Sequence, residues 1–166
     1  HQRNFRGVVL VFSDISRQHA TQVALNEAYH FSRQILAGLP VGLNVRDLQR
    51  RYREWNPVMA RMFGATAEQV LGKTIEEAFP DQPSDARAAI LDATDRAERG
   101  ELVLRPDTPV PGPAGLLWVS ATHSPLRNAA GEVVGTLTVV RDITARKQAE
   151  QALRASEENL EITLQS

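Results

Sequence analysis

The sequence contains no cysteine, which excludes disulfides, thiolate metal sites and cysteine nucleophiles. A cysteine-free chain suits a reducing compartment, and the cytoplasm is the expected location. Neither sign of charge dominates, since nineteen Lys and Arg stand against twenty Asp and Glu. That balance produces no large field to attract nucleic acid or an anionic membrane surface, so nucleic acid is not expected among the partners. No apolar run approaches the roughly eighteen residues needed to cross a bilayer, and no direct membrane insertion of this segment is expected. Aromatic residues are few, at 5%, with Trp55 and Trp118 the two tryptophans.

What remains is ordinary globular material. A hydrophobic share of 42% with 23% charged residues is the composition of a chain that buries a core. Its 166 residues suit one domain with connecting segments better than two full domains.

The chain partly repeats itself. GVVLVFSDISRQHATQVAL, from Gly7, aligns with GTLTVVRDITARKQAEQAL, from Gly135, with six identities at Gly7/Gly135, Val11/Val139, Asp14/Asp142, Ile15/Ile143, Ala24/Ala152 and Leu25/Leu153. Chance would give about one. Each copy reads as a β-rich apolar run that passes into an Ala- and Gln-rich stretch with helical spacing, a strand leading straight into a helix.

Between the copies, VGLNVR at 41–46 and the run at 50–55 alternate around Asp47 and predict an antiparallel hairpin. Asn56 before Pro57 predicts an N-cap and a first short helix over 57–63, stopped by Gly64. Thr66 with Gln69, and Thr74 with Glu77, have capping-box spacing for two single-turn helices. Ala86, Ile90, Ala93 and Ala97 recur at helical spacing over 84–99. Strands are expected over 101–106, 116–126 and 133–140, with DTPVPGPAG and NAAG as the connecting loops. The fold class is therefore α+β: a five-stranded antiparallel sheet with its helices gathered in one crossover, flanked by N- and C-terminal connector helices.

On these residues the chain resembles the PAS domain family. LPVGLNVRDLQRRYREWNPVMARMFGATAEQVLGKTIEEAFP is similar to a PAS first half, and WVSATHSPLRNAAGEVVGTLTVVRDIT to the second, with the strand ending Arg-Asp-Ile-Thr that leads into a signalling helix. By the repeat, taken with this resemblance, 1–13 are expected to be the last strand of a preceding PAS-like module and 14–37 a connector helix. The resemblance makes 38–141 the PAS domain and 142–166 the C-terminal signalling helix. It also implies a sensory or dimerisation module of a multidomain bacterial signalling protein. Such a module relays a signal through its exit helix to an output domain, a histidine kinase or a cyclic-dinucleotide enzyme. The alternative is a ligand-free structural spacer and dimerisation module between other PAS domains. A buried polar cluster would favour the sensor; a cavity filled by Leu43, Ile90 and Leu102 would favour the spacer.

No catalysis is implied, and the sequence agrees: there is no nucleophile, base and orienter set, no P-loop and no histidine pair at metal-ligand spacing. Haem-binding relatives carry an axial histidine on the helix corresponding to 84–99, which has none here, so haem is not expected; His123 falls in a strand and His30 in the connector helix. The flavin-adduct photochemistry of related receptors needs the absent cysteine. No cofactor is the first expectation, with room left for a non-covalent flavin or a small metabolite. Trp55, Asn56, Ile90 and Trp118 are the cavity candidates, each with a plainer reading: the tryptophans as core or sheet residues, Asn56 as the N-cap. Asp142, Ile143 and Thr144 are the signal-coupling candidates at the strand-to-helix joint. Leu25, Leu36, Leu153, Leu160 and Leu164 are seam candidates for a parallel coiled coil in a homodimer, although a stripe packed on the module's own sheet has the same spacing.

Overall fold

Asp47 closes the hairpin that opens the domain, and the rest of the fold is assembled around the two strands it joins. The computed structural model describes residues 5–164, with the side chains of 17–35 and 38–160. It divides into two compact units after Gly38.

The first unit is one helix, α1 (Phe5–Gly38). The strand expected over 1–13 is not there: residues 5–13 are helical, continuous with the expected connector, and residues 1–4 lie outside the described residues. A lone strand leaves its N–H and C=O groups without a ladder, whereas a helix pairs them within the segment.

The second unit holds the sheet. β1 (Gly42–Asp47) and β2 (Tyr52–Trp55) form the hairpin. Asp47 Oδ1 accepts from the Gln49 and Arg51 N–H groups at 2.9 Å each, and Oδ2 from Arg53 Nε at 2.6 Å. Arg50 takes the left-handed conformation, φ 61°, so β2 starts two residues later than alternation predicts. The short helices follow the predicted caps. In α2 (Pro57–Phe63), Asn56 Oδ1 accepts from the Met59 N–H, and Gly64 terminates the helix at φ 69°. α3 (Ala67–Val70) and α4 (Ile75–Ala78) begin at Thr66 and Thr74, whose N–H groups donate to Gln69 Oε1 and Glu77 Oε2 at 2.8 and 2.9 Å. α5 (Ser84–Glu98) is the long crossover helix.

β3 (Val103–Gly112), β4 (Gly115–Arg127) and β5 (Val133–Asp142) complete an antiparallel sheet of order β2-β1-β5-β4-β3. The proline-rich segment expected as a loop is mostly strand. Pro109 and Pro111 pair with Trp118 and Leu116, and Pro113 and Ala114 make a two-residue turn. Proline is tolerated because β3 lies at the sheet edge, where a missing N–H costs no ladder bond. A register shift between Arg105 and Thr108 leaves Asp107 in a bulge. The last element, α6 (Thr144–Leu164), follows β5 after Ile143, two residues later than the expected start.

The core lies between one face of the sheet and α2–α5. Trp55, Met59, Met62, Val70, Ile75 and Val140 are each at most 8% exposed. Trp55 meets Tyr52 and Phe79 at ring-centroid distances of 5.3 and 5.8 Å, and its Nε1 donates to the Ala65 carbonyl at 2.8 Å.

Candidate functional site

Strand register places the residues of the helix-facing side in rows. Gly42, Val140, Ala121 and Arg105 form the first; Asn44, Thr138, His123 and Val103 the second; Arg46, Thr136 and Pro125 the third. The first row is apolar up to the half-buried Arg105 on edge strand β3, whereas the next two are polar across their centre. Arg46, His123, Thr136, Thr138 and Asn44 are all between 0 and 4% exposed. Above β3, β4 and β5 lies α5, whose buried side chains are the short Ala93, Thr94 and Ala97.

This patch is polar without being self-sufficient. Thr138 Oγ1 and His123 Nδ1 share a hydrogen bond of 3.2 Å. Arg46 Nε and Nη1, His123 Nε2, Thr136 Oγ1 and Asn44 Oδ1 are buried with no hydrogen-bond partner. Burial, then the charges of Arg46 and Arg105, pushes the His123 imidazole down to about 3, so the ring is neutral. Burial likewise lowers the Arg46 guanidinium from its ordinary value, opposed by Tyr52 and Glu98. Arg46 lies 5.6 Å from the Tyr52 ring centroid and makes no ion pair among the described residues. Glu98, at the end of α5, also has Oε1 unpartnered, and burial raises its carboxyl above the ordinary value.

A second constellation lies where β5 becomes α6. The Ile143 N–H donates to the Trp118 carbonyl at 2.8 Å, and the Trp118 N–H donates to Thr144 Oγ1 at 2.9 Å. Asp142 Oδ1 accepts from the Thr144 N–H at 2.9 Å. The first turn of α6 is also held to the β3 bulge, because Asp107 Oδ2 accepts from Arg146 Nη2 at 2.8 Å and Lys147 Nζ at 2.9 Å. Lys147 Nζ lies 5.5 Å from the centroid of the Trp118 ring. The hydrogen bond from Lys147 chiefly holds the Asp107 carboxyl below its ordinary value.

The four cavity candidates separate. Asn56 is a bracing cap: Oδ1 accepts from the Leu43 and Met59 N–H groups at 3.0 Å each, and Nδ2 donates to the Val41 carbonyl at 2.9 Å. Trp55 is core, and Ile90 packs half-buried against the same cluster. Trp118 does not join them: it alternates with buried Val119, Ala121 and His123 and so belongs to the opposite face. Of the residues expected to fill a cavity, Leu43 alternates onto that opposite face and Leu102 is 64% exposed. Asp142, Ile143 and Thr144 do come together at one joint. Leu25, Leu153 and Leu160 are exposed, while the side chains of Leu36 and Leu164 lie outside the described residues. No group of three or more His, Asp or Glu that could hold a metal ion occurs among the described residues.

Sequence reading passed over Arg46, Asn44, Thr136, Thr138, Asp107 and Lys147. The β1 signal was in plain view, since LNVR alternates; alternation tells which residues share a face but not which face turns inward.

The family pattern for the PAS fold matches residues 36–148, and the chain belongs to that family. Virulence sensor protein BvgS of Bordetella pertussis is 37% identical over 71 residues, 43% of this chain and 6% of that protein. BvgS of Bordetella bronchiseptica gives the same figures. The chain thus spans 6% of the length of these relatives. The solved PAS domain of Bordetella pertussis BvgS matches with a TM-score of 0.61 at 29% identity, over 80% of this chain and 98% of that one. A ligand- and DNA-bound VqmA of Vibrio cholerae matches with a TM-score of 0.59 at 21% identity, over 75% and 57%, a likeness of fold alone. The family and the relatives are those of bacterial sensory signalling. No helix among the described residues is long and apolar enough to cross a membrane.

Proposed function

We propose that this chain is a ligand-responsive PAS sensor module, in the cytoplasm, that relays occupancy of the patch beneath α5 through the β5–α6 joint to an output domain. The observation that carries this reading is the buried polar patch: five side chains on β1, β4 and β5 hold unpartnered polar atoms or depend on one another. A spacer gains nothing from such a patch, because each unmet buried polar group costs about 1–3 kcal/mol. β5 carries Thr136 and Thr138 in its middle and Asp142 at its end, so one strand connects patch and joint. The output domain is a histidine kinase or a cyclic-dinucleotide enzyme, and further PAS modules adjoin this one. Two copies pair along their connector helices through Leu25, Leu36, Leu153, Leu160 and Leu164; the exposure of Leu153 and Leu160, seven residues apart, supports this.

The spacer reading has one observation in its favour: the other part of the helix-facing side is filled by Trp55, Met59, Met62 and their neighbours. A native mass spectrum with an absorption spectrum of the freshly purified chain separates the two. The sensor reading expects a dimer carrying a small molecule that leaves on denaturation. A chain at its sequence mass with no absorbance beyond the aromatic band would overturn it in favour of the spacer.

A further inference from the structure

We propose that the patch beneath α5 binds a small carboxylate, with Arg46 as its counter-ion and Thr136 and His123 as neutral donors. This deepens the sensor reading and rests on it.

Arg46 is the starting point. It is 1% exposed, yet Nε and Nη1 have no acceptor. A buried guanidinium without a paired anion carries a desolvation penalty that a neighbouring ring offsets only in part. Glu98 is the acidic group whose charge reaches it most strongly after Tyr52, but Glu98 forms no ion pair with it among the described residues.

The surroundings complete an anion's hydrogen-bond set. Thr136, opposite Arg46 in register, has a hydroxyl with no partner and 0% exposure. When Thr138 donates its hydroxyl to His123 Nδ1, the neutral ring carries its proton on Nε2, which is also unmet. Asn44 Oδ1 is an unmet acceptor in the same row as His123. A hydroxyl on the bound molecule satisfies it, as does the amide turned about to present its NH2 group. Arg46 is the fully buried charge of the set, with the half-buried Arg105 close enough for its charge to act on both Arg46 and His123; the remaining donors are short and neutral, a set that suits a small carboxylate. Above it, Ala93 and Ala97 of α5 supply no competing polar group.

The test is thermal unfolding of the whole chain, stripped of small molecules by unfolding, dialysis and refolding. Acetate, lactate, malate, succinate, phosphate and sulfate are compared at about 10 mM with chloride at matched ionic strength. At least one carboxylate is expected to raise Tm by several degrees, an effect lost in Arg46→Gln. Because Arg46→Gln risks misfolding, Thr136→Val serves as the second variant: it keeps the charge and side-chain shape and is expected to weaken the carboxylate about tenfold. A response to phosphate or sulfate alone overturns the proposal, as does a carboxylate response unchanged in both variants. If no anion acts but a neutral molecule co-purifies with the fresh chain, the carboxylate falls and the sensor reading stands. If nothing binds and nothing co-purifies, both fall.

Discussion

Thr144 Oγ1 accepts a hydrogen bond from the Trp118 backbone N–H at 2.9 Å, so the first residue of α6 is tied sideways to β4 as well as lengthwise to β5. The Ile143 N–H returns the tie to the Trp118 carbonyl at 2.8 Å. These two bonds give a change of register or twist in the sheet a direct route to α6 through Trp118, a route that Thr144→Val tests.

Thr144→Val keeps the shape of the side chain and removes the acceptor. A loss of about 1 kcal/mol in unfolding free energy is expected, with faster amide exchange at Trp118, whose N–H loses its acceptor, and at the neighbouring Ile143. Thr144→Ser restores both. Urea unfolding and exchange on the three proteins check this; a valine variant with wild-type exchange contradicts the tie.

Asp107 holds the same turn from the β3 bulge through Arg146 and Lys147. Arg146 is exposed and Asp107 and Lys147 are half-buried at the sheet edge, so solvent still screens the pair and Asp107→Asn is expected to change global stability by no more than about 1 kcal/mol. The local effect is larger: exchange at the first turn of α6 rises, and the difference between wild type and variant shrinks with added salt. Exchange measured in low and high sodium chloride checks it.

His123 makes stability depend on pH. Burial, then Arg46 and Arg105, lowers its folded value from 6.5 to about 3. Between those values the unfolded chain binds a proton that the folded chain does not. The contribution is fully present above pH 6.5 and is lost as pH falls, by up to about 1.4 kcal/mol per unit. Comparing urea midpoints at pH 7 and pH 5 for wild type and His123→Gln isolates this group from the carboxylates, and the variant is expected to show the shallower fall.

Gly135 stands across from Asp47 in the β1–β5 ladder, and a Cβ there would collide with the Arg46 carbonyl oxygen. Backbone cannot swing aside as a side chain does, so Gly135→Ala is expected to cost about 3 kcal/mol or more and to disturb Arg46 directly. Thermal unfolding of the variant measures it.

The caps, the turn glycine Gly64, the alternating β1–β2 hairpin and the strand-like runs of β4 and β5 were legible in the sequence because each is a local device. The extension of β3 through Pro109 and Pro111 was not, since proline is permitted there only by an edge position that the sheet order creates. The α1 helix over 5–13 departs from the reading by repeat, because the same apolar run is a strand only where it has a neighbour. At the site, Asp142 and Thr144 could be found from the family resemblance of the Arg-Asp-Ile-Thr strand ending and from their capping chemistry. Arg46 and Thr136 could not. Their significance lies in sharing one buried row across strands ninety residues apart, which no local pattern records.

Amide exchange at Ile143 is the most direct measurement, because its N–H makes a backbone hydrogen bond to β4 at the joint between sheet and exit helix. The chain as purified is compared with the same chain stripped of small molecules by unfolding, dialysis and refolding. The account predicts that stripping changes the exchange of Ile143 and Lys147 by about tenfold or more while the Asp47 hairpin amides stay as they were. Identical exchange at Ile143 in the two preparations, with a ligand present in one and absent from the other, would contradict it.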